Sequence, residues 1–174
     1  MSNHPKYQAK PVFWDSGLRK VLSLTAISKY YSNGRLKLPE YIWRFDSQHE
    51  FKVYLELVRM YGADRIERQF PVPIFYPSKC YSKGKTWKVD FVVSLPDSMY
   101  HYDYLVEAKG AFLTEFAVIL AVLETIDEVA FNALRIVFPS KIPERNQMVK
   151  ALLKTDYARN LLTLNQLKKL KGLP

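Results

Sequence analysis

Cysteine is nearly absent: Cys80 is the one example in 174 residues. An intrachain disulfide is therefore excluded, a thiolate zinc cage is out of reach, and a reducing, cytoplasmic setting is the expectation. Histidine is also scarce, and His4, His49 and His101 fit no H-x-x-x-H metal pattern, so surface positions are expected for them. No run approaches the roughly 18 apolar residues of a membrane span. The opening stretch MSNHPKYQAKPVFWDSG has no apolar segment of the kind a secretory signal needs, and a soluble chain without a membrane partner is expected. Repeats, low-complexity tracts, zinc-finger spacing and the G-x-x-x-x-G-K-[ST] phosphate loop are all missing. Any nucleotide-driven step would need a second protein.

What the chain does have is apolar mass and positive charge. Hydrophobic residues make up 48% and aromatics 14%, enough for a packed core. Lys and Arg number 26 against 17 Asp and Glu, a formal net charge of +9. The excess is uneven: residues 1–44 carry 8 basic and 2 acidic groups, residues 139–174 carry 8 and 2, and residues 45–138 carry 10 and 13. The organisation expected is a basic, partly helical N-terminal extension (1–44), an acidic core (45–138) and a basic, helical C-terminal extension (139–174). Basic ends suit a polyanionic partner, although solvated lysines account for charge alone equally well.

Periodicity sets out the core. Phe51, Tyr54, Leu55 and Val58 recur at helical spacing, which predicts a helix over 47–61 ended by Gly62. Residues 65–75, interrupted by Pro71 and Pro73, read as a strand that bends or lies at a sheet edge. Trp87, Val89, Phe91 and Val93 alternate with more polar positions, predicting a strand with one face in the core. A second strand runs from Tyr102 to Ala108 and pairs with it as a hairpin. Residues 114–128 predict a helix, apolar almost all round and so buried on more than one side. Leu134 to Phe138 is a short apolar strand, free to pair parallel with the Tyr102 strand through the helical crossover. At the ends, 17–31 and 160–170 have helix-like spacing, and Asn33-Gly34 marks a turn. The fold class expected is α/β, a mixed sheet flanked by helices in the order α-β-β-β-α-β.

The chemical signal is Asp90 on one strand followed by Glu107-Ala108-Lys109 on the next. Residues two apart on a strand share a face, so Glu107 and Lys109 project together, and Asp90 projects opposite in phase to Trp87 and Val89. Two carboxylates and an ammonium can thus converge. Hard oxygen donors on rigid strands suit Mg²⁺ or Mn²⁺, and a lysine beside them can orient a water for attack on phosphorus. The plain alternative is a pair of surface acids with a cross-strand lysine. Glu50 lies on the helix side opposite Lys52, Glu56 and Arg59, facing the sheet; it also completes Ser47-x-x-Glu50, a capping box in which it returns to the Ser47 N–H. Both roles stand open. Cys80 sits beside Tyr81 and Lys83 with no local Cys or His companion, and no catalytic role is assigned to it.

Taken together, FDSQHEFKVYLEL (45–57), ERQ (67–69), KVDF (88–91) and LVEAKG (105–110) resemble the PD-(D/E)xK, or restriction-endonuclease-like, nuclease superfamily. They are similar to small phage-encoded endonucleases and to transposon-end-cutting endonuclease subunits. Holliday-junction resolvases share the early glutamate. The resemblance covers 45–138 and implies a restriction-endonuclease-like core and Mg²⁺-dependent (or Mn²⁺-dependent) hydrolysis of DNA phosphodiester bonds. It implies Asp90 and Glu107 as metal ligands with the Ala108 carbonyl, Lys109 as catalytic lysine and Glu50 as an additional acid. Gln69 matches a glutamine frequent near such sites, or is an ordinary strand residue. Lys88 is a rival amine, a phosphate contact or a solvated lysine. Val89 stands where the motif's name puts proline. A phage or mobile-element association, a host cytoplasm, a homodimer and a partner protein of a phage or transposition system are further extensions of the resemblance. For the unmatched ends, Arg19, Lys20, Arg35, Lys37, Lys150, Lys154, Arg159, Lys168, Lys169 and Lys171 are the expected phosphate contacts. Phe13, Trp14, Tyr30 and Tyr31 either stack on bases or pack in a core. Two other functions fit the same residues: a structure-specific resolvase that cuts branched DNA as a dimer, and a non-catalytic nucleic-acid-binding or assembly protein that keeps the fold.

Overall fold

A computed structural model of the chain describes residues 10–76, 79, 82–96 and 103–174. Cys80, His4, His101 and the Tyr102 strand start lie outside the described residues. Two compact units divide the chain, Met1–Phe51 and Lys52–Pro174. The structural boundary therefore falls inside the first predicted helix, beyond the compositional one at 44/45.

The first unit is built from strands. β1 (Val12–Asp15) pairs antiparallel with β2 (Lys20–Leu22) on one side and β5 (Ile42–Phe45) on the other. Between them lie a five-residue helix, α1 (Leu24–Ser28), and a hairpin of β3 (Tyr31–Ser32) with β4 (Arg35–Leu36). Asn33 and Gly34 form the hairpin turn, both with positive φ (50° and 72°), the geometry a two-residue turn between twisted strands requires. The expected helix over 17–31 is thus mostly absent. Leu18, Val21 and Leu24, whose spacing suggests a helical stripe, are exposed, and residues 20–22 instead satisfy the β1 edge. Phe13, Ile27 and Ile42 form the core, so Phe13 packs inside; Trp14 packs on Phe51, ring centroids 5.3 Å apart.

The second unit is a five-stranded mixed sheet flanked by helices, in the order β10-β9-β8-β7-β6. α2 (Gln48–Tyr61) spans the unit boundary and ends at Gly62, whose φ of 85° a side chain would strain. β6 (Ile66–Phe75) lies at the sheet edge, where the missing N–H groups of Pro71 and Pro73 cost least. β7 (Lys85–Val93) pairs antiparallel with β6 and with β8 (Tyr104–Ala108). α3 (Thr114–Ile126) and α4 (Glu128–Ala133) then return the chain to β9 (Leu134–Phe138), parallel to β8. The α-β-β-β-α-β order holds with α4 inserted.

Three details differ from expectation. First, α3 buries only Phe116, Leu120 and Leu123, one stripe at i, i+4, i+7, while Val118 and Ile126 are exposed; an apolar periphery does not by itself supply a second covering layer. Second, the C-terminal segment belongs to the sheet. After α5 (Gln147–Leu152) and a 3-10 turn, β10 (Leu161–Thr163) pairs parallel with β9, and only α6 (Leu164–Leu167) is helical of the expected 160–170. The pull is the β9 edge, whose five residues are all buried. Third, β7 does not keep one core face: Trp87, Val89 and Val92 share a cluster with Phe116, whereas Phe91 stacks on Tyr54 of α2. The sheet is covered on both faces, and alternation breaks between Val89 and Val92. Among the described residues no helix is long and apolar enough to cross a membrane.

Candidate active site

The break in β7 falls at Asp90, and its partner strand breaks with it. Arg68 is in register with Phe91 and Phe70 with Val89, so Gln69 stands opposite Asp90; its φ is +54°, a left-handed backbone that a glutamine rarely adopts. Gln69 Nε2 donates to Asp90 Oδ1 at 3.4 Å. Strain of this kind persists where surrounding structure over-determines it, as functional sites do.

Across the other edge, β7 and β8 clasp one another through side chains. The Ala108 N–H donates to Asp90 Oδ2 at 2.8 Å, and the Asp90 N–H donates to Glu107 Oε2 at 3.1 Å. Glu107 is 3% exposed, and its Oε1 forms an ion pair with Lys109 Nζ. Strand period explains the pairing, because positions 107 and 109 share a face. The Lys109 N–H donates to Val137 O at 2.9 Å, so the end of β9 fixes the lysine backbone.

Phe116 is the residue that sequence reasoning missed. Lys109 Nζ lies 4.5 Å from its ring centroid, a cation–π distance, and Trp87 and Phe112 pack around the same ring at 5.9 and 5.4 Å. Its signal was its place in the first turn of the helix that follows Lys109-Gly110. Trp87, Phe116, Ala111 and Glu115 line a cleft of about 180 Å³ that Lys109 borders.

Asp90, Glu107, Ala108, Lys109 and Gln69 are therefore brought together. Lys88 is exposed and pairs with no carboxylate among the described residues. Glu50 lies in the first unit, buried at the start of α2. Its amide donates to Ser47 Oγ at 3.0 Å, and its Oε2 accepts the Asp46 N–H at 2.7 Å. His49, beside it, is half-buried rather than on the surface. Arg19, Lys20, Arg35 and Lys37 are exposed on the first unit, and Lys150, Lys154, Arg159, Lys168, Lys169 and Lys171 on the second.

Among the described residues no three His, Cys, Asp or Glu side chains form a metal-holding group. Asp90 and Glu107 still supply hard oxygens from adjacent strands, each carboxylate steadied at one oxygen by a backbone N–H, and this donor set suits Mg²⁺ or Mn²⁺ over softer metals. The chain matches no protein-family model, no curated protein and no solved structure.

Proposed function

We propose that this protein is a metal-dependent endodeoxyribonuclease with a restriction-endonuclease-like core of the PD-(D/E)xK type. The observation that carries the reading is the clasp of Asp90 with Ala108 and Glu107, which sets two carboxylates and Lys109 at one sheet position. The element order α2, β6, β7, β8, α3, β9 supports it. Asp90 and Glu107, with the Ala108 carbonyl, would hold Mg²⁺ or Mn²⁺; when bound, that ion supplies neutralisation of charge developing on the phosphate. Lys109 orients a water whose oxygen bonds to phosphorus as the ester P–O bond breaks. The proton lost by the water passes to solvent, and the leaving oxygen takes one up. Phe116 and Glu107 hold the lysine in place, and Gln69 positions Asp90.

A binding module without cleavage is the second reading, favoured by the absence, among the described residues, of a group of three or more metal-holding side chains. Incubating supercoiled plasmid with the protein and Mg²⁺ or Mn²⁺ separates the two. Nicked or linear product that disappears with EDTA, with Asp90→Asn and with Lys109→Ala supports the nuclease. Intact plasmid under both metals, with binding retained, supports the module.

A further inference from the structure

The loop after β9 leaves the sheet at the end where Lys109 sits, because the Lys109 N–H bonds Val137 O on β9. Asn146 ties that loop back: its Nδ2 donates to Phe112 O at 3.4 Å, and its Oδ1 caps α5 by accepting from Met148 N and Val149 N at 3.0 and 3.2 Å. Ile142 and Met148 pack inward against the cluster containing Phe112 and Phe116. The charged residues are left outside. Lys141, Arg145, Lys150 and Lys154 are exposed, with Glu144 the one acid in residues 139–154. None of the four cations is paired with a carboxylate among the described residues.

Two open hollows run along this ridge, about 480 and 530 Å³, sharing Glu144 and Arg145. Those volumes match small-molecule pockets, but such pockets are lined by apolar and aromatic side chains, and among the described residues no aromatic lines either hollow. The same absence separates two kinds of polyanion. Single strands are held by stacking their bases on aromatics, whereas a duplex hides its base faces and offers phosphates. We propose that the ridge of Lys141, Arg145, Lys150 and Lys154 is the track for the phosphate backbone of a double-stranded DNA substrate. It draws the polyanion toward two carboxylates that would otherwise repel it. Its assignment to substrate rests on the hydrolytic reading of Asp90, Glu107 and Lys109. Lys168, Lys169 and Lys171 do not belong to it. They precede Leu173, whose carbonyl accepts from the Tyr104 hydroxyl at the other end of β8, about 17 Å of strand from Lys109.

The test is fluorescence-anisotropy binding of a random-sequence 30-base-pair duplex in EDTA, where no cleavage occurs, across 50–200 mM salt. Each phosphate contact contributes about 0.9 to the slope of log K against log salt, so Lys141→Gln/Arg145→Gln/Lys150→Gln/Lys154→Gln lowers that slope by about 3 to 4. The Lys168→Gln/Lys169→Gln/Lys171→Gln variant loses less than a third as much. Equal melting temperatures establish that the variants fold. An unchanged slope in the ridge variant, an equal loss in the comparison variant, or tighter binding to single strands or duplex RNA overturns the proposal. The readout needs no catalysis: a ridge that binds in a protein that never cuts sinks the nuclease and spares the track, and a protein that cuts with its ridge slope intact does the reverse.

Discussion

Asp90 and Glu107 are locked together through the backbone: the Asp90 N–H donates to Glu107 Oε2 at 3.1 Å, while Asp90 Oδ2 accepts the N–H of Ala108, the residue after Glu107, at 2.8 Å. The two acids proposed as metal ligands thus already have structural duties. Asp90→Ala leaves the Ala108 amide without this acceptor in a half-buried position and lowers stability by about 1–3 kcal/mol. Asp90→Asn keeps an acceptor oxygen and costs less. Urea denaturation ranks the two, and both abolish cleavage if Asp90 holds the metal.

Glu107 and Lys109 form an ion pair with side-chain exposures of 3% and 26%. Removing Lys109 leaves a buried carboxylate beside Asp90, and Lys109→Met destabilises the protein by about 1–3 kcal/mol, below the 3–5 of a fully buried pair because the lysine is partly solvated. A divalent cation held at the proposed Asp90–Glu107 site would replace the lost charge. Calorimetry in EDTA and in 5 mM Mn²⁺ therefore gives a larger rise in Tm for Lys109→Met than for the unmodified protein. Equal rises contradict the site.

Gln69 carries strain that a glycine would not. Its φ of +54° costs a side-chain-bearing residue about 1 kcal/mol or more, so Gln69→Gly raises the denaturation midpoint while removing the contact to Asp90. Stability up and cleavage down is the expected split, and Gln69→Val, branched at Cβ, lowers both.

Alkaline pH acts on Tyr157. Burial pushes its phenol above the ordinary value of about 10, and its hydroxyl donates to Leu134 O at 3.2 Å. A group raised on folding contributes stability that is complete below the unfolded pKa and is lost as pH climbs through the folded one. Unfolding monitored between pH 9 and 12 shows this loss, and Tyr157→Phe flattens it at a cost of about 1 kcal/mol at neutral pH. Tyr61, also raised by burial, leaves a smaller residual slope.

Legibility followed the length and strength of each local signal. β6 announced its edge position through Pro71 and Pro73, and the phase of Glu107 and Lys109 announced their shared face. The face exchange at Gln69 had no such signal, because a glutamine in left-handed backbone is chosen by the surrounding sheet and not by its own preference. β10 was too short for a period to declare itself, and its three residues are strand only because β9 lies beside them. α3 misled in the opposite direction: its outer apolar residues describe composition, while its place in the outer layer decides burial. Phe116 reads as core from sequence, and only tertiary structure sets its ring against Lys109.

The most direct measurement is anomalous diffraction from crystals soaked in Mn²⁺. The account predicts a peak within coordination distance of both Asp90 and Glu107 carboxylates, lost in Asp90→Asn crystals. No peak there at millimolar Mn²⁺, with Glu107 still paired to Lys109, contradicts it.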